Sequence, residues 1–105
     1  MAKSRALLHE ILCDILGSRN CYYDPPASIR MKYPCIIYEF ETRKTLHADD
    51  MRYKSEKRYS VTIIDEMEDS EICERLFSDE RLRFVSEDRS YITDGLHHYV
   101  FTVFW

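Results

Sequence analysis

The chain is poor in the residues that build loops and phosphate cradles. It has two glycines, Gly17 and Gly95, and three prolines in 105 residues. Two isolated glycines cannot form a Gly-rich phosphate loop. The scarcity of both residue types also argues against disorder and low complexity. No excess of positive charge is present: 15 basic against 19 acidic side chains give a formal net charge of −4. A protein that grips the phosphate backbone in general is usually basic. No apolar run approaches the ~20 residues of a membrane span. Met1-Ala2-Lys3-Ser4-Arg5 leads into an amphipathic segment without an apolar core, so no signal peptide is expected. None of the four cysteines, Cys13, Cys21, Cys35 and Cys73, forms a C-x-x-C pair. The spacing therefore does not read as a zinc knuckle, and reduced, half-buried thiols are a plainer reading than disulfides.

What is present is apolar and aromatic. Hydrophobic residues make up 45% of the chain, with eight Tyr and five Phe. That supports one packed core and leans toward sheet and interface. The length fits a single domain over 1–105. Leu7, Leu8, Ile11, Leu12, Ile15 and Leu16 predict a helix over 3–16 with one broad apolar face, and His9, Glu10 and Asp14 point away from it. Ser4 is a plausible N-cap, and Gly17 suits the left-handed residue after the last turn. Ser18 to Tyr23 leaves the helix, with a short edge strand as one course. Asp24-Pro25-Pro26 and Tyr33-Pro34 then make two rigid corners.

Cys35 to Glu41 reads as a strand with Ile36, Tyr38 and Phe40 on one face. Thr42 to Glu56 is polar and reads as a long hairpin connection. Lys57 to Asp65 is the next strand, and Tyr59, Val61 and Ile63 form its buried face. Asp69 or Ser70 can cap a short helix from Glu71 to about Phe77. Arg81 to Val85 begins another strand, Glu87 to Asp94 is polar, and Asp94-Gly95 is a hairpin-turn pair. Leu96 to Trp105 is apolar on both faces, which implies a central strand or one that meets another subunit. The expected fold is α+β. It is a two-layer sandwich of a mainly antiparallel four-stranded sheet, with a long N-terminal helix on one face and a second short helix.

Catalytic and ligand chemistry is hard to find. Asp49-Asp50 and Asp65-Glu66-Glu68-Asp69 could offer oxygen ligands to a divalent cation, but their spacing matches no calcium loop. Solvated turn and cap residues are the plainer reading. His97 and His98 are adjacent on a strand, so their rings point to opposite faces and cannot chelate one ion together. A Cys nucleophile with a His base needs a spatial adjacency that sequence does not display. No enzyme activity, cofactor or metal is expected. Arg43-Lys44, Arg52-Tyr53-Lys54 and Lys57-Arg58 interleave basic residues with Tyr, a pattern that can meet nucleic acid. Their neighbours Glu39, Glu41 and Glu56 favour a solvated hairpin with cross-strand charge pairs.

The distinctive stretch is Tyr22-Tyr23-Asp24-Pro25-Pro26 followed by Met31-Lys32-Tyr33-Pro34-Cys35-Ile36-Ile37-Tyr38. Weaker matches are His47-Ala48-Asp49-Asp50 with Tyr53, Tyr59-Ser60-Val61-Thr62, Asp69-Ser70-Glu71-Ile72 and Leu96-His97-His98-Tyr99-Val100-Phe101. Over nearly the whole chain this resembles the small tail-terminator, or tail-completion, proteins of long-tailed, siphovirus-like bacteriophages and prophages. Glu68 departs from the pattern, which has Pro before the Asp-Ser cap.

The resemblance implies a virion structural protein, not an enzyme. Its subunits would form a ring, expected to be homohexameric, at the head-proximal end of the tail tube, assembled in the host cytoplasm. The ring would stop tube growth and allow head–tail joining. Implied partners are further copies of the chain, the tail tube protein and the head-completion or connector protein. No membrane is involved, and DNA is only cargo passing through a mildly acidic lumen. Subunit or tube contacts are expected from Arg43, Lys44, His47, Asp49, Asp50, Arg52, Tyr53, Arg89, Tyr91 and Trp105. Tyr38, Tyr59, Phe104 and Trp105 are candidates for either core or interface. Two alternatives stay open: another neck protein such as a head-closure or adaptor protein, and a stand-alone module that binds a peptide at its sheet edge.

Overall fold

A computed structural model describes residues 4–26, 28–47, 53–82 and 84–105. The chain runs α1 (Arg5–Leu16), β1 (Cys21–Tyr23), β2 (Cys35–His47), β3 (Tyr53–Asp65), α2 (Glu71–Ser78), β4 (Phe84–Thr93) and β5 (Leu96–Phe104). The strands form one five-stranded sheet in the order β1-β2-β3-β5-β4. β1 pairs with β2 in parallel, and the other three pairings are antiparallel.

This corrects the expected four-stranded, mainly antiparallel sheet with a long first helix. The sheet is mixed, with a fifth strand at one edge, and the first helix has only 12 residues. The helix is short because Ser4 is still extended, at φ −81° and ψ 146°, and its hydroxyl accepts from the Leu7 N–H at 3.2 Å. At the other end Gly17 takes φ 83° and donates its N–H to the Cys13 carbonyl at 2.8 Å. β1 is parallel because the segment from Asp24 to Pro34 crosses back before β2 begins. Two strands running the same way need such a crossover. The Asp24 N–H holds that segment to the sheet by donating to the Tyr38 carbonyl at 2.8 Å.

Both helices cover the same face. Leu8, Leu12, Ile15, Ile72 and Leu76 meet Ile36, Tyr38, Tyr59, Val61, Ile63, Phe101 and Val103 in one core cluster. The strand residues in that group alternate at period two, so each strand turns one row of side chains toward the helices. Leu7, expected on the apolar face, is instead half-exposed at the helix margin. α2 begins as expected. Ser70 Oγ accepts from the Ile72 N–H at 3.3 Å and donates to Asp65 Oδ2 at 2.7 Å. Asp65 also accepts from the Met67 N–H at 3.0 Å. One buried carboxylate thus organises the whole turn between β3 and α2.

Two stretches expected to be loops are strands. Most of Thr42 to Glu56 continues β2 and β3, which stay in register out to His47↔Tyr53. β4 begins at Phe84, later than the expected Arg81, and absorbs most of the polar stretch from Glu87 to Asp94 by running to Thr93. Asp94 and Gly95, at φ 52° and 75°, make the two-residue turn into β5. β5 lies between β3 and β4, with Phe101 and Val103 turned to the helices and Val100, Thr102 and Phe104 on the other face of the sheet.

Candidate interaction surfaces

β3 is sandwiched between β2 and β5 only from Arg58 to Asp65. From Tyr53 to Lys57 it pairs with β2 alone among the described residues. The outer half of the hairpin is therefore a two-stranded arm beyond the helix-covered body. Strands of 13 residues reach roughly 43 Å at about 3.3 Å per residue, which accounts for most of the 51 Å long dimension. The arm starts at a β-bulge between Phe40 and Thr42, where the ladder gains one residue on β2. A bulge there sharpens the twist and re-aims the strand. Phe40 marks the same boundary: it is half-exposed and meets Tyr59 edge-on at 5.7 Å.

The interface candidates divide by position. Arg43, Lys44, His47 and Tyr53 lie on the arm's strands, with Lys44 opposite Glu56 and His47 opposite Tyr53 in register. Asp49, Asp50 and Arg52 lie outside the described residues. Arg89 and Tyr91 lie on β4, at the other edge of the sheet from β1, so they do not join the arm residues in one continuous patch.

On β4, the Arg89 guanidinium sits 6.0 Å from the Tyr91 ring, and Tyr91 stacks on His98 at 4.7 Å. Phe84 packs on Phe104 at 6.4 Å, and Arg58 lies 5.3 Å over Phe104. Phe84, Tyr91 and Ile92 are exposed, Phe84 at one end of this edge strand and Tyr91 and Ile92 at the other, on opposite faces. The edge also carries charges and a second bulge, between Glu87 and Arg89. Asp88, within that bulge, accepts from the Thr102 hydroxyl at 2.6 Å. Charges and a bulge discourage indiscriminate strand addition. Contacts here are thus better made by side chains than by extending the ladder.

Trp105 is mainly an internal tie. Its indole Nε1 donates to the Ser4 carbonyl at 2.8 Å, and its backbone N–H donates to the Lys57 carbonyl at 2.8 Å. It fastens the C-terminal end of the sheet to the N-cap of α1. Tyr38 and Tyr59 belong to the core, whereas Phe104 and Trp105 are half-buried. His97 and His98 separate as expected: His97 lies with Tyr99 and His98 with Tyr91.

Near α1 the side chains form a denser network. Tyr38 is fully buried, and a 2.7 Å hydrogen bond joins its hydroxyl to His9 Nδ1. Tyr23 packs on Tyr38 at 5.0 Å and lies under the Arg5 guanidinium at 4.0 Å. Burial pushes the Tyr38 hydroxyl up to about 12. Burial raises the Cys21 thiol as well, helped by the neighbouring Cys13. Cys13, Cys21, Cys35 and Cys73 are all free thiols, the first three buried. Desolvation pushes Cys35 up to about 11 and Cys73 up to about 12, as inert internal thiols require. His9, expected to point away from the core, is half-buried against it. That misplacement concealed a three-residue group, His9, Cys13 and Cys21, whose ligand atoms all lie within 4.8 Å of one another.

No family model matches the chain, and no curated protein matches it. Among solved structures, a chain from the virion of a native gene transfer agent particle is similar over 90% of this chain and 81% of that one. The identity is 11% and the TM-score 0.42.

Proposed function

We propose that the protein is a structural component of a phage or prophage virion, and that it caps the head-proximal end of the tail tube as a ring. The reading starts from the resemblance carried by Tyr22–Pro26 and Met31–Tyr38. The observation that supports it best is the two-stranded arm. An isolated hairpin is marginal in water and gains stability from a third strand or a packing face. The partner for an arm built this way is another subunit or the tube. Head-to-tail closure of a ring needs two different patches on each subunit. The arm and the Arg89–Tyr91 edge supply two patches at separate places on the sheet.

Deletion of the gene from the phage or prophage that carries it tests the reading. The expected result is tails of uncontrolled length, or tails not joined to heads. Complementation with Arg89→Ala/Tyr91→Ala should yield a folded protein and fewer joined particles. Normal-length, head-joined tails after deletion would refute the assignment.

A further inference from the structure

We propose that His9, Cys13 and Cys21 form a binding site for one zinc(II) ion. His9 and Cys13 stand four residues apart on α1, one turn above the other on the same side of the helix. Gly17 then turns the chain back with its left-handed conformation, and Cys21 enters as the first residue of β1. The two thiol sulfurs and an imidazole nitrogen converge, all within 4.8 Å of one another. Ligand atoms around a tetrahedral zinc stand about 3.5–3.8 Å apart, given Zn–S near 2.3 Å and Zn–N near 2.0 Å. The three groups therefore need to close by no more than roughly an ångström.

The donor set selects the metal. Two thiolates and an imidazole are soft to borderline ligands, and no carboxylate belongs to the group. That excludes magnesium, calcium and manganese as preferred occupants. Charge separates zinc(II) from copper(I). Two thiolates neutralise a divalent ion but leave a net negative charge with a monovalent one. Cys13 and Cys21 are buried, so the neutral complex is favoured there.

Tyr38 supplies the supporting contact. Its hydroxyl holds His9 Nδ1 at 2.7 Å, so binding through Nε2 keeps that hydrogen bond and fixes the ring's orientation. The site would clamp α1 to the parallel edge of the sheet, where β1 has only three residues of its own. The inference does not depend on the assembly role proposed above.

The test uses the full chain, reduced and stripped with chelator, then titrated with zinc(II) alone or with cobalt(II) as a spectroscopic stand-in. The expected result is one ion per chain, a higher melting temperature, and thiolate-to-cobalt charge-transfer absorption with strong tetrahedral visible bands. His9→Gln should lower the metal-free melting temperature by no more than Tyr38→Phe does, since both lose the same hydrogen bond, and weaken binding at least about tenfold. Tyr38→Phe should weaken it about tenfold. Cys21→Ser should reduce the charge-transfer intensity. Failure of the wild-type chain to bind zinc or cobalt would overturn the site. So would tight binding of copper(I) alone, or zinc affinity indifferent to both His9→Gln and Cys21→Ser. A Cys13–Cys21 disulfide in protein isolated under native conditions would likewise replace the metal assignment.

Discussion

Replacing Tyr38 with Phe should produce a stability difference that changes sign with pH. The substitution removes one oxygen and keeps the ring against Tyr23, Tyr59 and His9. At neutral pH the loss is the hydrogen bond to His9 Nδ1, with a weaker 3.5 Å contribution from Arg5. A buried hydrogen bond whose remaining partner loses its mate costs about 1–2 kcal/mol. In alkali the balance reverses. The folded chain holds the Tyr38 proton up to about 12, against 10.0 for an ordinary tyrosine, because burial penalises the phenolate. Between those values the folded state binds more protons than the unfolded state, so stability falls as pH rises. Across that window the wild type forfeits roughly 2–3 kcal/mol that the variant, having no hydroxyl, keeps. Titrating groups remote from Tyr38 cancel in the difference, while Cys21, Cys13 and Arg5, which act on its hydroxyl, modulate it. Urea denaturation with chelator present, at steps from pH 7 to about 11.5, reads it directly. The wild type should lead at pH 7, and the curves should converge and cross above pH 10. A difference that stays constant over the whole range would refute the account of Tyr38 as a desolvated, proton-retaining hub.

Two further substitutions probe how the body is tied together. Trp105→Ala removes a half-buried indole and its hydrogen bond to the Ser4 carbonyl, so urea denaturation should show a loss of about 2 kcal/mol, with Trp105→Phe losing about 1. A fully stable Trp105→Ala protein that fails to join tails would instead make Trp105 an interface residue. Ser70→Ala removes the α2 cap and one donor to the buried Asp65 carboxylate, which predicts a loss of about 1–2 kcal/mol by the same measurement.

How much of this fold is legible in the sequence depends on whether a segment buries one face. α1 shows itself because Leu8, Ile11, Leu12, Ile15 and Leu16 are all buried at helical spacing between a capping serine and a glycine. The inner halves of β2 and β3 and all of β5 show themselves because the helices cover alternate residues. The outer halves of β2 and β3 pair only with each other among the described residues, and their sequence carries no alternation to mark them. β4 is an edge strand with nearly every residue exposed, and it reads as polar loop for the same reason. β1 has three residues, too few for any period, and its partner is settled by the crossover from Asp24 to Pro34. The His9, Cys13 and Cys21 group has a related explanation. Two of its members lie one helical turn apart, but the third arrives through a turn, and no ligand spacing along the chain announces it.

The stretch from Cys21 to Phe40 reads as a connector in sequence, yet in space it holds one side of the molecule together. It contributes β1, the crossover and the inner half of β2, and it brings Cys21 and Tyr38 to α1. That side has a covering helix, a buried tyrosine hub and a group able to hold a metal. Among the described residues of the opposite edge, β4, only Val85 packs against the core, and each strand of the arm pairs with the other alone. Stability and exposure are thus divided between different parts of one sheet. Under the proposed assembly role, this division would let the arm and the β4 side chains meet neighbours without risking the core. It also follows that substitutions near Tyr38 should act on folding, while substitutions at Arg89 and Tyr91 should act on assembly. If both sets acted on folding alone, the division of the sheet into a self-sufficient side and an interacting side would be wrong.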